Sequence, residues 1–164
     1  MKTLYLIRHA KSSWKNLDIQ DIQRPLKKRG KKDASLMIQS LIKKNIKPDI
    51  IITSPAKRAI ETAKILAVGL NYPVRKIVKK SPLYYDGATE FLELIHNIDN
   101  SLNHVFLICH NPELTDYANY FSDQKVDNIP TCGIYCLEFD VKSWNEVTAD
   151  NGRFVFFDYP KKYK

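Results

Sequence analysis

Three short and strongly apolar runs, Leu4-Tyr5-Leu6-Ile7, Ile50-Ile51-Ile52 and Val105-Phe106-Leu107-Ile108, constrain this chain more than any other feature. Runs of that length, rich in β-branched and aromatic residues, read as strands buried on both sides. Helical patterns lie between them. Ala34, Met37, Ile38, Leu41 and Ile42 fall on one face of a helix that starts near Lys28. Ser54-Pro55 offers an N-cap residue and a first-turn proline for a second helix, with Ile60, Ala63 and Ala67 as its inner stripe. Phe91, Leu94, Ile95 and Ile98 mark a third, and a fourth runs from Pro112 to about Phe121. Val74 to Lys79 reads as a shorter edge strand, and two late strands cover Gly133 to Phe139 and Arg153 to Tyr159. This alternation predicts an α/β fold, a three-layer sandwich with helices on both faces of a mainly parallel central sheet. With 164 residues and no repeat or linker, the expected organisation is a single domain over residues 1–164.

Composition narrows the partners. The chain carries 26 Lys and Arg against 18 Asp and Glu, a formal charge of +8, which favours anionic partners. The clusters Lys27-Lys28-Arg29 with Lys31-Lys32, and Lys161-Lys162 with Lys164, read as solvated faces and identify no ligand by themselves. No run approaches the ~20 apolar residues of a membrane span, and no signal-peptide core is visible, so the cytoplasm is the expected location. Cys109, Cys132 and Cys136 form an odd set without CxxC or zinc-ligand spacing, so they read as buried thiols. No nucleic-acid-binding signature is present, and nucleic acid is not an expected partner.

The chemistry collects where the apolar runs end. Arg8-His9 follows the first, Ser54-Pro55-Ala56-Lys57-Arg58 the second, and Cys109-His110 the third. Open α/β sheets bind ligands at the carboxyl ends of their strands, so three such ends would converge on one anion pocket. Two guanidiniums can clamp the oxygens of a phosphoryl group. An imidazole can attack phosphorus and later leave it.

Leu6-Ile7-Arg8-His9-Ala10 with Ser12, then Ser54-Pro55-x-x-Arg58-Ala59-x-x-Thr62-Ala63, then His110-Asn111-Pro112 resembles the histidine phosphatase superfamily, in particular its SixA-like phosphohistidine phosphatases. Arg24-Pro25-Leu26, Lys28-Arg29-Gly30 and Pro130-Thr131-x-Gly133 are similar to that branch too. The resemblance implies a phosphoglycerate mutase-like fold and catalysis without metal or cofactor. It implies that His9 takes up the phosphoryl group, that Arg8, Arg58 and His110 hold its oxygens, and that Ser12 supports the pocket. The chain departs from the family pattern in Ala10, where a glycine is usual, in Cys109 before the second histidine, and in Lys27 at a helix-capping place.

Phosphomonoesterases of the superfamily generally add a carboxylic acid that protonates the leaving alcohol. The corresponding position holds Tyr85, with Asp86 and Glu90 as neighbouring candidates. Phosphohistidine needs that acid less, because its leaving imidazole has a pKa near ~7. The expected substrate is therefore a phosphohistidine protein. The alternatives are a phosphatase for phosphorylated small molecules or phosphorylated Ser, Thr or Tyr, and a non-catalytic phosphate or nucleic-acid binder.

Overall fold

In the computed structural model, residues 1–85 and 87–164 are described. Along the chain come β1 (Lys2–Arg8), α1 (Lys28–Lys43), β2 (Ile50–Thr53), α2 (Lys57–Gly69), β3 (Val78–Lys79), α3 (Pro82–Tyr85), α4 (Ala88–His96), β4 (His104–Cys109), α5 (Glu113–Phe121), β5 (Ile134–Phe139) and β6 (Gly152–Asp158). The strands form one sheet in the order β3-β2-β4-β1-β5-β6. The first four are parallel; β5 runs antiparallel to β1, and β6 antiparallel to β5.

Successive side chains of a strand point to opposite faces, and the two central strands divide accordingly. Leu4 and Leu6 of β1, with Val105 and Leu107 of β4, pack with Phe91, Ile95, Leu114 and Phe121 of α4 and α5. Tyr5, Ile7, Phe106 and Ile108 pack on the other side, with Met37 and Leu41 of α1 and Ala63 and Leu66 of α2. Both faces are covered, so the expected three layers are present.

Local details differ from the sequence expectations. Ile42, placed on the inner face of α1, is 48% exposed; it lies in the last turn, beyond the sheet-facing stripe. The buried face of α2 is Ala59, Thr62, Ala63, Leu66 and Ala67, with Ile60 at its margin. That helix begins at Lys57, and Ser54 is not its cap. Val74 to Lys79 is a 3-10 turn over Val74–Lys76 followed by a two-residue strand. Pro73, which has no N–H for a ladder, opens that turn.

Gly30 sets how closely α1 approaches the chain leaving β1. A Cβ built there would lie 2.2 Å from the Lys11 carbonyl oxygen, a backbone atom that cannot swing aside. Gly→Ala inside an exposed helix ordinarily stabilises by about 1 kcal/mol. Here Gly30→Ala is expected to destabilise by about 1–3 kcal/mol through overpacking, read as a lower urea midpoint; a raised midpoint would contradict this close approach.

Candidate active site

Strands β2, β4 and β1 are neighbours and end level with one another. Register pairs Arg8 with Cys109 and Thr53 with Ile108, so His9, His110 and Ser54 emerge side by side at the carboxyl edge. Backbone bonds carry the ladder one step further: His9 N–H donates to the Cys109 carbonyl at 3.2 Å, and Ser54 N–H to the Ile108 carbonyl at 2.9 Å. From the β5 side, the Cys132 N–H donates to the carbonyl oxygens of both Arg8 and His9, at 3.1 Å each. Cys132 adopts a left-handed φ of 62° to do so.

The His9 ring is buried, and its Nδ1 lies 2.8 Å from the Ala10 carbonyl oxygen. A carbonyl only accepts, so Nδ1 carries the proton and Nε2 keeps its lone pair. Burial lowers the pKa of His9 to about 3; the bond to Ala10 opposes this, and the charged form of His110, with Arg58 and Arg8, reinforces it. Ala10 is buried and has no left-handed φ, so alanine fits where the family pattern has glycine. Its N–H donates to Thr62 Oγ1 at 3.0 Å, and that hydroxyl donates to the Arg58 carbonyl at 2.8 Å.

The ring of His110 lies 5.1 Å from that of His9, centroid to centroid. His110 Nε2 is 2.7 Å from Ser54 Oγ, which also accepts the Ala56 N–H at 3.1 Å. Those two contacts explain why Ser54 does not cap α2. Burial, with Arg58 as the next cause, lowers the His110 pKa to about 4. Arg8 Nη1 donates to the Ile129 carbonyl at 3.0 Å. Arg58 Nη1 donates to the Asp21 carbonyl at 2.8 Å, and Nη2 to Asp21 Oδ2 at 3.0 Å. The Nε atoms of Arg8 and Arg58 and Nδ1 of His110 are buried with no hydrogen-bond partner among the described residues. Buried polar groups are rarely left so. Each guanidinium thus keeps an N–H edge that an oxyanion could accept from.

A cleft of about 310 Å³ opens on this edge, lined by Asp21, Arg58, Tyr84, His110, Glu113 and Tyr117 among others. Of the four residues inferred from separate strand ends, Arg58 and His110 line the cleft. His9 and Arg8 are not among its lining residues; His9 sits behind it, with its ring 5.1 Å from that of His110 and with Arg58 and Arg8 as charged neighbours. Ser12 is buried and accepts a hydrogen bond from Arg24, so it engages the pocket through that guanidinium. Glu90 is a correction: it is exposed, accepts the Gly87 N–H at 3.2 Å at the start of α4, and lines a different cleft with Ile52 and Val78. Asp86 lies outside the described residues. Cys109 is a buried thiol with its pKa pushed up to about 12 by burial, which is no reactive sulfur. His96 and His104 are engaged structurally, by the Val147 carbonyl at 2.8 Å and the Tyr5 hydroxyl at 3.0 Å.

Asp21 and Tyr84 were not singled out by the sequence. Asp21 Oδ1 accepts from Arg24 Nη2 at 3.1 Å, and Oδ2 accepts from the Tyr84 hydroxyl at 2.7 Å. Its only local signal is a carboxylate three residues before Arg24-Pro25; the contacts with Arg58 and Tyr84 span 37 and 63 residues.

Residues 4–79 match the family model of the histidine phosphatase superfamily (branch 1). An uncharacterised chloroplastic protein of Arabidopsis thaliana is 31% identical over 159 residues, 92% of this chain and 72% of that one. Phosphoserine phosphatase 1 of Hydrogenobacter thermophilus is 40% identical over 78 residues, 46% of this chain and 36% of that one. The fold superposes on the protein histidine phosphatase SixA complexed with tungstate, with a TM-score of 0.81, 20% identity and 99% of each chain covered.

Both site histidines are expected to stay neutral from pH 8 to pH 5, since their lowered pKa values put protonation below that window. Ring ¹⁵N chemical shifts followed through a pH titration check this. A midpoint above pH 6 for His9 would contradict the buried, cation-flanked environment.

Proposed function

Because the chain belongs to the histidine phosphatase superfamily, we propose that it removes phosphoryl groups from protein phosphohistidine through a covalent intermediate on His9. One observation carries the reading. The His9 ring is neutral, its Nδ1 proton is tied to the Ala10 carbonyl, leaving the lone pair on Nε2, and its charge neighbours Arg8, Arg58 and His110 each keep an unpartnered buried nitrogen among the described residues. A nucleophile is useful only if it is unprotonated, and an oxyanion is held best by donors fixed beforehand.

The chemistry follows from that ring. Nε2 attacks phosphorus, and the bond from phosphorus to the substrate's imidazole nitrogen breaks, its electron pair staying on that nitrogen. The distal nitrogen of the substrate ring already carries a proton, so the group leaves as neutral imidazole. The phosphoryl group has then moved between two chemically alike rings, each with phosphorus on one nitrogen and a proton on the other. Water next attacks phosphorus, and His9 departs in the same neutral form, releasing dihydrogen phosphate. Neither step needs a carboxylic acid. Arg8, Arg58 and His110 hold the oxygens, and Ser12 supports the pocket by seating Arg24.

A second reading, hydrolysis of a phosphomonoester, draws on Glu113, a further carboxylate lining the cleft, and on the similarity to phosphoserine phosphatase 1. An alkoxide leaves badly without a proton, and Glu113 would have to supply it.

Incubation with a labelled phosphoryl donor and a rapid quench is expected to trap an acid-labile, alkali-stable phosphoenzyme that is lost in His9→Ala. Turnover of a phosphohistidine peptide should fall about 10⁴-fold or more in that variant. The wild-type chain should also prefer the peptide to p-nitrophenyl phosphate. Much faster turnover of the ester would favour the second reading, and a label that persists in His9→Ala would defeat both.

A further inference from the structure

Asp21 takes no part in the transfer derived above, yet side chains from separate parts of the chain converge on it. Tyr84 reaches it from α3, Arg58 from α2, and Arg24 from the loop before α1. Its backbone carbonyl accepts a second Arg58 N–H at 2.8 Å. So anchored, its side chain remains 48% exposed and lines the cleft together with Arg58 and His110.

The acceptor count is informative. A carboxylate offers about four lone-pair sites. Oδ2 spends two on Arg58 and Tyr84, and Oδ1 spends one on Arg24. One site on Oδ1 is left among the described residues. A partner needed only to seat Arg58 would have no use for that exposure. The other charged groups facing Asp21 are the guanidiniums of Arg24 and Arg58, which would repel the cationic phosphorylated ring entering the cleft. A fixed carboxylate between them reverses that preference locally.

We propose that Asp21 selects the substrate: its carboxylate accepts the distal N–H of a phosphorylated imidazole and so favours a substrate whose phosphoryl-bearing ring is cationic over an uncharged alcohol ester. The inference depends on the phosphohistidine reading above. The N–H stays on the imidazole throughout, so no proton is transferred to Asp21. Burial tends to raise its pKa, but the bonds from Tyr84, Arg24 and Arg58 outweigh that and hold it down to about 2. At neutral pH it therefore accepts and does not donate, which makes it unsuited to protonate an alkoxide. Alcohol phosphates present neither the charge nor the donor.

The test compares kcat/KM for a phosphohistidine peptide and for p-nitrophenyl phosphate in the full chain and in Asp21→Asn. A charge-assisted hydrogen bond is worth about 10-fold or more in rate, so the peptide value should fall about 10-fold further than the ester value. Asp21→Glu, which restores the charge, should recover part of the preference. Tyr84→Phe should shift the ratio the same way by less, and it keeps the inference testable if Asp21→Asn is poorly folded. Equal losses on both substrates would mean that Asp21 only seats Arg58, and no loss would mean that it does nothing; either overturns the inference. If the wild-type chain turns over the peptide and the ratio is unmoved by substitution, this inference alone falls. If the wild-type chain forms a phosphoenzyme from the ester but ignores the peptide, the phosphohistidine reading falls and takes the inference with it.

Discussion

The hydrogen bond from His9 Nδ1 to the carbonyl of Ala10 determines what the rest of the pocket can do. It selects the tautomer, turns Nε2 into the basic nitrogen, and prevents the ring from rotating to offer the other one. Its acceptor is held in turn: the Ala10 amide donates to Thr62, and Thr62 donates to the Arg58 carbonyl in the first turn of α2. A nucleophile on one strand end and an anion clamp on a neighbouring helix are thereby joined through a single buried peptide. Tight packing of α1 against Lys11 through Gly30 presses the same loop from below. Preorganisation of this kind lets a site act without rearranging during the reaction.

Charge is the second constraint. Two guanidiniums (Arg58 buried, Arg8 half-buried) and two imidazoles (His9 buried, His110 half-buried) share this corner, and the imidazoles meet the cost of burial by staying neutral. Guanidiniums cannot do the same. Arg58 is compensated by Asp21, and Arg8, among the described residues, by the Ile129 carbonyl alone. The resulting field favours an anion, and the carboxylate of Asp21, fixed by Arg24, Arg58 and Tyr84, marks where a positive group could sit. The lysine clusters on α1 and near the C-terminus are exposed and belong to the solvated surface.

Much of this was legible in the amino-acid sequence, for identifiable reasons. Strands buried on both faces have to be apolar throughout, so β1, β2 and β4 stand out as runs. In the parallel part of the sheet those three are neighbours, so the residues that follow them, Arg8, His9, Arg58 and His110, could be grouped from the sequence. Ser54 misled because a serine before Pro55 looks like a cap, whereas its hydroxyl is committed to Ala56 and His110. Glu90 misled because proximity in sequence to Tyr85 does not fix which way a helix faces; it serves its own helix terminus. Asp21 and Tyr84 were illegible, since their pairing depends on how the loop before α1 folds over α2, a tertiary fact with no periodicity to betray it.

The central claim is that phosphorus is taken up by one particular nitrogen. In a chain carrying ¹⁵N-labelled histidine, the trapped phosphoenzyme should show ³¹P–¹⁵N coupling to Nε2 of His9, with Nδ1 still protonated. Coupling to Nδ1, or to any histidine other than His9, would contradict the account at its root.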